Sequence, residues 1–444
     1  MKLKDFIKKN DFLIIIITIV SVLSLINFYK SLNFLYPDWD GFWYLSYSKN
    51  ILLGKGDFLY EIRSPLTAII LPDLLLARIE MIFFHVGITI LIYLIILKLT
   101  ENKLAAAFSS LVYGINWWIL PFLITTLTDL PAMFFFLLAF YLWLNGNKRD
   151  LILSGFLLGI AFLIRYDTIL LILPVILLSV YQKRKIKYLI LPFLIVSIFL
   201  ELLLSSIIYG KIYHTAYATL QFYQYGLKSG LSEAFVIARE SNITVKFLEV
   251  FYLPFLLSLS VLFYWKEKRN VFLLSIFIPF AALMNFLLVP DNRIFFVKAL
   301  PFLALLSHNL IYFIKEKINK QILLIIIFSV VILSNSIISF QITYPEWHLE
   351  RTPCLEGSIC TNIPGAINYF CEKEAVDINS YSKGYVGLIP GANPFESIKE
   401  NAPKCDYLVY YKDGFGYDQT IKDYLSENYD VIIDNDLTVV YGTN

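Results

Sequence analysis

Long apolar runs separated by short polar connections dominate the chain. The first covers about 12–29, directly after Lys8 and Lys9. Others fall near 80–98, 104–122, 129–145, 151–164, 168–181, 188–209, 248–265, 271–289, 294–314 and 321–343. Runs of ~18–20 residues suffice to carry a helix across a ~30 Å hydrocarbon layer. Taken together the eleven runs predict an all-α polytopic membrane domain over 1–343. The pair at 151–181 is short and interrupted by Arg165-Tyr166-Asp167, so it reads either as a helical hairpin or as one bent element. No small-x-small cleavage pattern surrounds Ser24-Leu25-Ile26, and the first run is read as an uncleaved helix.

Charge then orients the spans. With the N-terminus in the cytoplasm, the cytoplasmic connections hold Lys148-Arg149, Lys183-Arg184-Lys185 with Lys187, Lys266 with Lys268-Arg269, and Lys315 with Lys317 and Lys320. Every basic cluster falls inside, as membrane topology favours. The longer segments 30–79, 210–247 and 344–444 then lie outside. All of the tryptophans fall near predicted span ends, where amphipathic rings anchor at the headgroups (Trp39, Trp43, Trp117, Trp118, Trp143, Trp265 and Trp347). Asn242-Ile243-Thr244 is a lone glycosylation sequon in an outside segment.

Composition narrows the function classes. The chain is 58% hydrophobic and 16% charged, which excludes a purely water-soluble protein, and its 17% aromatic content excludes disorder. A net charge of +2 gives no electrostatic support to a nucleic-acid partner. The tail, 344–444, differs in kind. Short β-rich runs (Tyr407 to Tyr411, Val431 to Ile433, Leu437 to Tyr441) alternate with a helix-like stretch from Asp418 to Asn428, which predicts a small extracytoplasmic α/β domain. All four cysteines, Cys354, Cys360, Cys371 and Cys405, sit there. An even number in an outside segment points to disulfides, with three pairings open. Their spacing fits no zinc pattern.

The richest polar segment is the first outer loop, 30–79. It opens with Asp38-Trp39-Asp40-Gly41-Phe42-Trp43-Tyr44 and continues through Gly56-Asp57 to Arg63-Ser64-Pro65-Leu66. A carboxylate partly shielded at a membrane face can act as a general base. Alternatively Asp38 and Asp40, with Asp129, hold a divalent cation such as Mg2+ or Mn2+ through oxygen ligands. Solvated loop carboxylates are the plain structural alternative. The aromatic side chains suit the apolar face of a sugar ring.

This segment resembles the first extracytoplasmic loop of the GT-C superfamily of membrane glycosyltransferases, in the branch of protein O-mannosyltransferases and aminoarabinose transferases. In that branch an Asp-Glu pair follows the first span, then a Tyr four residues on, a Gly-Asp, and a Lys-Pro-Pro-Leu-like element. Here Asp40, Tyr44, Gly56-Asp57 and Arg63-Ser64-Pro65-Leu66 fall on those positions, and Gly41 replaces the Glu. Thr128-Asp129-Leu130-Pro131 before the fourth span, and Gly155 to Gly159 leading into Arg165, extend the likeness over about 12–185. The resemblance implies transfer of a hexose or pentose from a polyprenyl-phosphate (dolichyl-phosphate-like) donor to an acceptor hydroxyl of a protein, lipid or glycan at the outer face. It implies inversion, with Asp40 as base.

Other polar groups near membrane depth are candidates because ionisable residues there are costly. Arg165, Arg293 and Lys298 read as a cradle for the donor phosphate, or as interface anchors that snorkel. Tyr44, Arg63, Asp38 and Asp129 complete the expected substrate-binding set. Glu201, in the seventh run, is expected to be buried and paired or protonated, and His214 to be a satisfied loop histidine. A transporter or lipid flippase with an outside domain is the rival reading. Against it, the charges gather at outer ends and no internal repeat is visible, whereas transporters favour repeats and broken helices at the midplane.

Overall fold

The computed structural model describes residues 11–32, 41, 44–45, 47–49, 64, 66–67, 73–117, 119–125, 127–209, 212, 214–216, 254, 256–287, 292–317, 354–362, 367, 371, 375–377, 398–399, 402–412, 419–435 and 438–443. Asp38, Asp40, Arg63, most of the 210–247 segment with its sequon, and the expected span 321–343 lie outside this set.

Apolar runs in lipid must satisfy every backbone group internally, so they become helices. In chain order these are α1 (Asp11–Lys30), α2 (Leu74–Thr100), α3 (Lys103–Gly114), α4 (Asp129–Asn145), α5 (Lys148–Ile164), α6 (Ile169–Tyr181), α7 (Lys187–Leu194), α8 (Glu201–Tyr209), α9 (Lys268–Leu287), α10 (Asn292–Leu306) and α11 (His308–Lys317). A π-helical segment, Ile195–Leu200, joins α7 to α8. Polar caps set the ends: the Asp73 carboxylate accepts the N–H groups of Leu75 and Leu76, and the Asn102 side chain those of Leu104 and Ala105. Among the described residues, Asp11–Lys30, Leu74–Thr100, Lys187–Ile208 and Val297–Ile314 are long and apolar enough to cross a membrane, and Asp129–Asn145 and Tyr166–Tyr181 are shorter apolar helices.

Two expected spans differ from the pattern. The run at 104–122 is helical only to Gly114, followed by turns and a 3-10 segment at Leu120–Leu123. One local feature marks the end: His85 Nε2 takes the Gly114 carbonyl at 2.9 Å. The interrupted pair at 151–181 is two helices, because Arg165 is extended (φ −148°, ψ 114°) and Tyr166–Thr168 forms a 3-10 turn. α6 packs on α9, and α5 packs on α4 and α7, so the pair does not close as a hairpin.

Gly155 and Gly159, four apart on α5, allow the close approach of α7. A Cβ at Gly155 would lie 2.2 Å from the Leu189 carbonyl oxygen, and one at Gly159 would lie 2.6 Å from Val196 Cβ. Small residues at this spacing are how membrane helices gain contact, since lipid offers no hydrophobic drive for their association. Trp143 corrects one expectation. It is not an interfacial anchor but is fully buried, stacked on Phe140 and Phe272. Its indole N–H finds Ser179 Oγ at 2.7 Å, and the Arg184 guanidinium lies 4.0 Å over the ring. An indole whose N–H is satisfied internally has no need of the interface.

Beyond 353 the described residues form a five-stranded sheet in the order β2-β1-β3-β5-β4: β1 Ile359–Thr361, β2 Ala375–Asp377, β3 Tyr407–Tyr411, β4 Asp430–Asp434 and β5 Thr438–Gly442. β1 runs parallel to both β2 and β3, while β5 is antiparallel to β3 and β4. Alternation along β3 and β5 sends Leu408, Tyr410, Val439 and Tyr441 to one face, against Ile421 and Leu425 of α12 (Gln419–Asn428). Val409, Tyr411 and Val440 face the other side, against Ile359 and Ile367. Two disulfides, Cys354–Cys371 and Cys360–Cys405, settle the pairing that sequence left open.

Candidate functional site

The extended residue that ends α5 is also the centre of a buried ionic cluster. Arg165 Nη1 donates to Asp129 Oδ2 at 3.0 Å and to Thr128 Oγ1 at 3.4 Å. Its Nε and Nη2 reach the two oxygens of Asp167, each at 3.3 Å, the forked geometry a guanidinium offers a carboxylate. Lys298, on α10, donates to the same Asp167 carboxylate. Arg165, Asp129 and Lys298 are almost wholly buried and Asp167 nearly so. Two cations face two anions, so the formal charges cancel, which is what permits four ionised groups at this depth. Thr128 links the cluster to the segment after α1 by donating to the Tyr44 hydroxyl at 3.5 Å.

A second polar node adjoins the first through Tyr166, the residue after Arg165. The fully buried Glu201 carboxylate accepts the Tyr166 hydroxyl at 3.3 Å, and also the hydroxyls of Ser64 and Thr215. The Tyr166 and Thr215 hydroxyls also lie within hydrogen-bond reach of each other, so one of their two protons is shared between the neighbouring hydroxyl and the carboxylate. His214 Nε2 sits 2.8 Å from the Ser197 carbonyl oxygen, and Nδ1 accepts the Ala216 N–H at 3.2 Å. This pairing assigns the proton to Nε2 and leaves the ring a satisfied neutral histidine.

The cluster thus gathers Tyr44, Asp129, Arg165 and Lys298 from the sequence-derived set. Arg293 lies in the first turn of α10, five residues before Lys298, with its side chain outside the described set. Asp38, Asp40 and Arg63 are outside it altogether. Lys298 does not snorkel: its ammonium is buried against Asp167, because a carboxylate within reach is a better partner than a distant interface. Among the described residues no three His, Cys, Asp or Glu side chains are grouped to hold a metal ion. Of the cation candidates, Asp129 keeps one buried oxygen, Oδ1, without a hydrogen-bond partner. Sequence reasoning missed Asp167 and the hydroxyls of Ser64, Tyr166 and Thr215. The available signals were the polar triplet Arg165-Tyr166-Asp167 inside an apolar stretch and the Arg63-Ser64-Pro65-Leu66 element.

The family model for dolichyl-phosphate-mannose-protein mannosyltransferases matches residues 64–209. No curated protein matches the chain in sequence. Solved structures share its fold. The aminoarabinose transferase ArnT from Cupriavidus metallidurans, bound to undecaprenyl phosphate, superposes with a TM-score of 0.59 at 10% identity, covering 98% of each chain. An Archaeoglobus fulgidus oligosaccharyltransferase with Zn and sulfate gives 0.55 at 14% identity, over 89% of this chain and 68% of that one. The oligosaccharyltransferase AglB of the same organism, with an inhibitory peptide and a dolichol-phosphate, gives 0.55 at 13% identity, over 91% and 70%.

The family match covers about a third of the chain, residues 64–209, and the fold over most of its length is the one these solved structures share. The matched stretch is similar to the protein mannosyltransferases, one of the likenesses that the order of motifs along the chain implied. The family-matched stretch contains Ser64, Asp129, Arg165, Asp167 and Glu201, so both polar nodes are built largely from it. Tyr44 and Lys298 join from either side of that stretch.

Proposed function

We propose that the protein transfers a sugar from a polyprenyl-phosphate donor to an acceptor hydroxyl at the outer membrane face, by a single inverting displacement. The observation that carries this reading is the buried Asp129–Arg165–Asp167–Lys298 cluster tied to Tyr44. It anchors the segment that begins four residues after Asp40. Asp40 takes the proton of the attacking hydroxyl, which requires base and nucleophile within hydrogen-bond reach. The bond from the anomeric carbon to the phosphate oxygen breaks as the new glycosidic bond forms.

Because the carboxylates of Asp129 and Asp167 already occupy Arg165 and Lys298, the charge on the departing phosphate falls first to Arg63 and Arg293. Arg165 and Lys298 form the fixed background that steadies them, a preorganised arrangement that favours the transition state over the ground state. Asp38 and Tyr44 contact the sugar. The isoprenoid tail lies along the apolar helices, and its binding energy positions the headgroup. Lipid phosphates bound to ArnT and AglB support this donor class. The N-terminus is cytoplasmic. A membrane unit, 1–343, carries the catalytic loop, and an extracytoplasmic α/β unit, 344–444, covers the site or contacts the acceptor.

Purified protein incubated with radiolabelled lipid-linked hexoses and pentoses and a panel of peptide, lipid and glycan acceptors tests the reading. Label should move to one acceptor class, and Asp40→Asn should lower the rate by at least ~100-fold, the scale of general-base catalysis. Full activity of Asp40→Asn removes it as the base, and no transfer from any polyprenyl-linked sugar overturns the donor. Adding a chelator, then Mg2+ or Mn2+, decides the role of a cation.

A further inference from the structure

Glu201 takes no part in the chemistry proposed above, yet hydroxyls from three distant segments end on it. Ser64 comes from the first outer loop, 137 residues away; Tyr166 from the turn after Arg165; Thr215 from the segment after α8. A carboxylate this deep is costly to bury, and apolar packing would hold the helices at lower cost. Its surroundings are built to receive it. The π-helical segment Ile195–Leu200 immediately precedes it and shifts the face on which it projects. His214 bridges to the Ser197 carbonyl within that segment, so the same three residues, 214–216, fasten both the π turn and Glu201.

The two polar nodes also divide the first outer loop between them. Tyr44, near its start, ties through Thr128 to the Arg165 cluster. Ser64, near its end, ties to Glu201. The Ser64 hydroxyl is oriented further by the Leu66 N–H, which donates to it at 3.3 Å. Tyr44 is therefore tied through Thr128 to Arg165, and Ser64 through Glu201 to the next residue, Tyr166. Arg63 is the residue before Ser64.

We infer that Glu201 is a positioning residue, a hydroxyl clasp that pins the Arg63 end of the first outer loop to the Arg165–Thr168 break and thereby sets the affinity for the donor phosphate. The kinetic consequence rests on the donor reading above; the clasp itself does not. Glu201 touches no substrate. It acts through Ser64 and Tyr166.

The test uses full-length protein in detergent, as Glu201→Gln, Ser64→Ala, Thr215→Val and Thr215→Ser. Hydrogen–deuterium exchange without any ligand reads the clasp, and binding of undecaprenyl phosphate reads its consequence. Exchange over residues 41–67 should accelerate in Glu201→Gln and Ser64→Ala, and in Thr215→Val, while Thr215→Ser, which keeps the hydroxyl, stays at the wild-type rate. Affinity for undecaprenyl phosphate should fall about tenfold in the same three variants, the scale of one lost hydrogen bond to a charged group. KM for the donor should rise with little change in kcat. Unchanged exchange in folded Ser64→Ala, or a Thr215→Ser variant as impaired as Thr215→Val, overturns the clasp. Wild-type protein that does not bind undecaprenyl phosphate overturns the donor reading instead, and the exchange data still decide the clasp.

Discussion

At the scale of single residues, Asp167 is the carboxylate that joins the two cations of the site. It neutralises Arg165 and Lys298 at once, across separations of 2 and 131 residues. Breaking a buried pair costs more than replacing it whole, because the orphaned charge keeps its desolvation penalty. Asp167→Asn therefore leaves one cation too many and should destabilise the protein by about 3–5 kcal/mol. Lys298→Met alone should cost less, since the remaining excess negative charge is shared by two carboxylates forked around Arg165. The double variant restores the balance of Arg165 against Asp129. It should be more stable than Asp167→Asn, as read from thermal unfolding in detergent. A double variant no better than the aspartate change alone would show that the loss comes from the hydrogen bonds of Asp167 and not from its charge.

At the scale of elements, the glycine pair on α5 sets how closely two helices pass. Gly155 leaves no room for a side chain, because the nearest obstacle is backbone, the Leu189 carbonyl, which cannot rotate away. Gly155→Val should force α5 from α7 and cost about 1–3 kcal/mol, with lost folded yield on size exclusion. Gly146 should tolerate Asn better than Val, since its left-handed conformation (φ +71°) is one Asn adopts. The helices themselves were legible, because apolar runs of membrane length have few alternatives. So was the break at Arg165, where three polar residues interrupt such a run. The strands at 407–411, 430–434 and 438–442 were legible from β-rich runs, whereas β1 and β2, three residues each, were too short to carry an alternation. What the pattern could not carry was pairing. Arg165, Asp129 and Lys298 stood out as costly charges, but nothing along the chain says that Asp167 joins them or that Ser64 meets Glu201. Those partners are set by helix packing, which brings together residues far apart in the chain.

At the scale of the whole molecule, an apolar helical bundle is followed by a small sheet held by two disulfides, and the two parts meet opposite demands. The bundle is stabilised by its solvent, the bilayer. The sheet is short of core and gains from cross-links that limit its unfolded states. The two bridges do not contribute equally. Cys360 sits inside β1, between β2 and β3, and its bridge to Cys405 spans 45 residues, against 17 for Cys354–Cys371. On loop-closure entropy alone the longer bridge is worth about 1 kcal/mol more. Loss of both cysteines of a pair should therefore lower the unfolding midpoint of the sheet more for Cys360→Ala with Cys405→Ala than for Cys354→Ala with Cys371→Ala. The first change also removes two buried side chains from one face of the sheet, which widens the difference. Both bridges require an oxidising compartment. In intact cells, a membrane-impermeant maleimide should therefore label the tail only after reduction, while a cysteine placed at Lys148 or Lys185 should react only once the membrane is opened. Labelling of both from the same side would reverse the orientation that the basic connections imply, and would separate the tail from the face on which Asp40 is proposed to act.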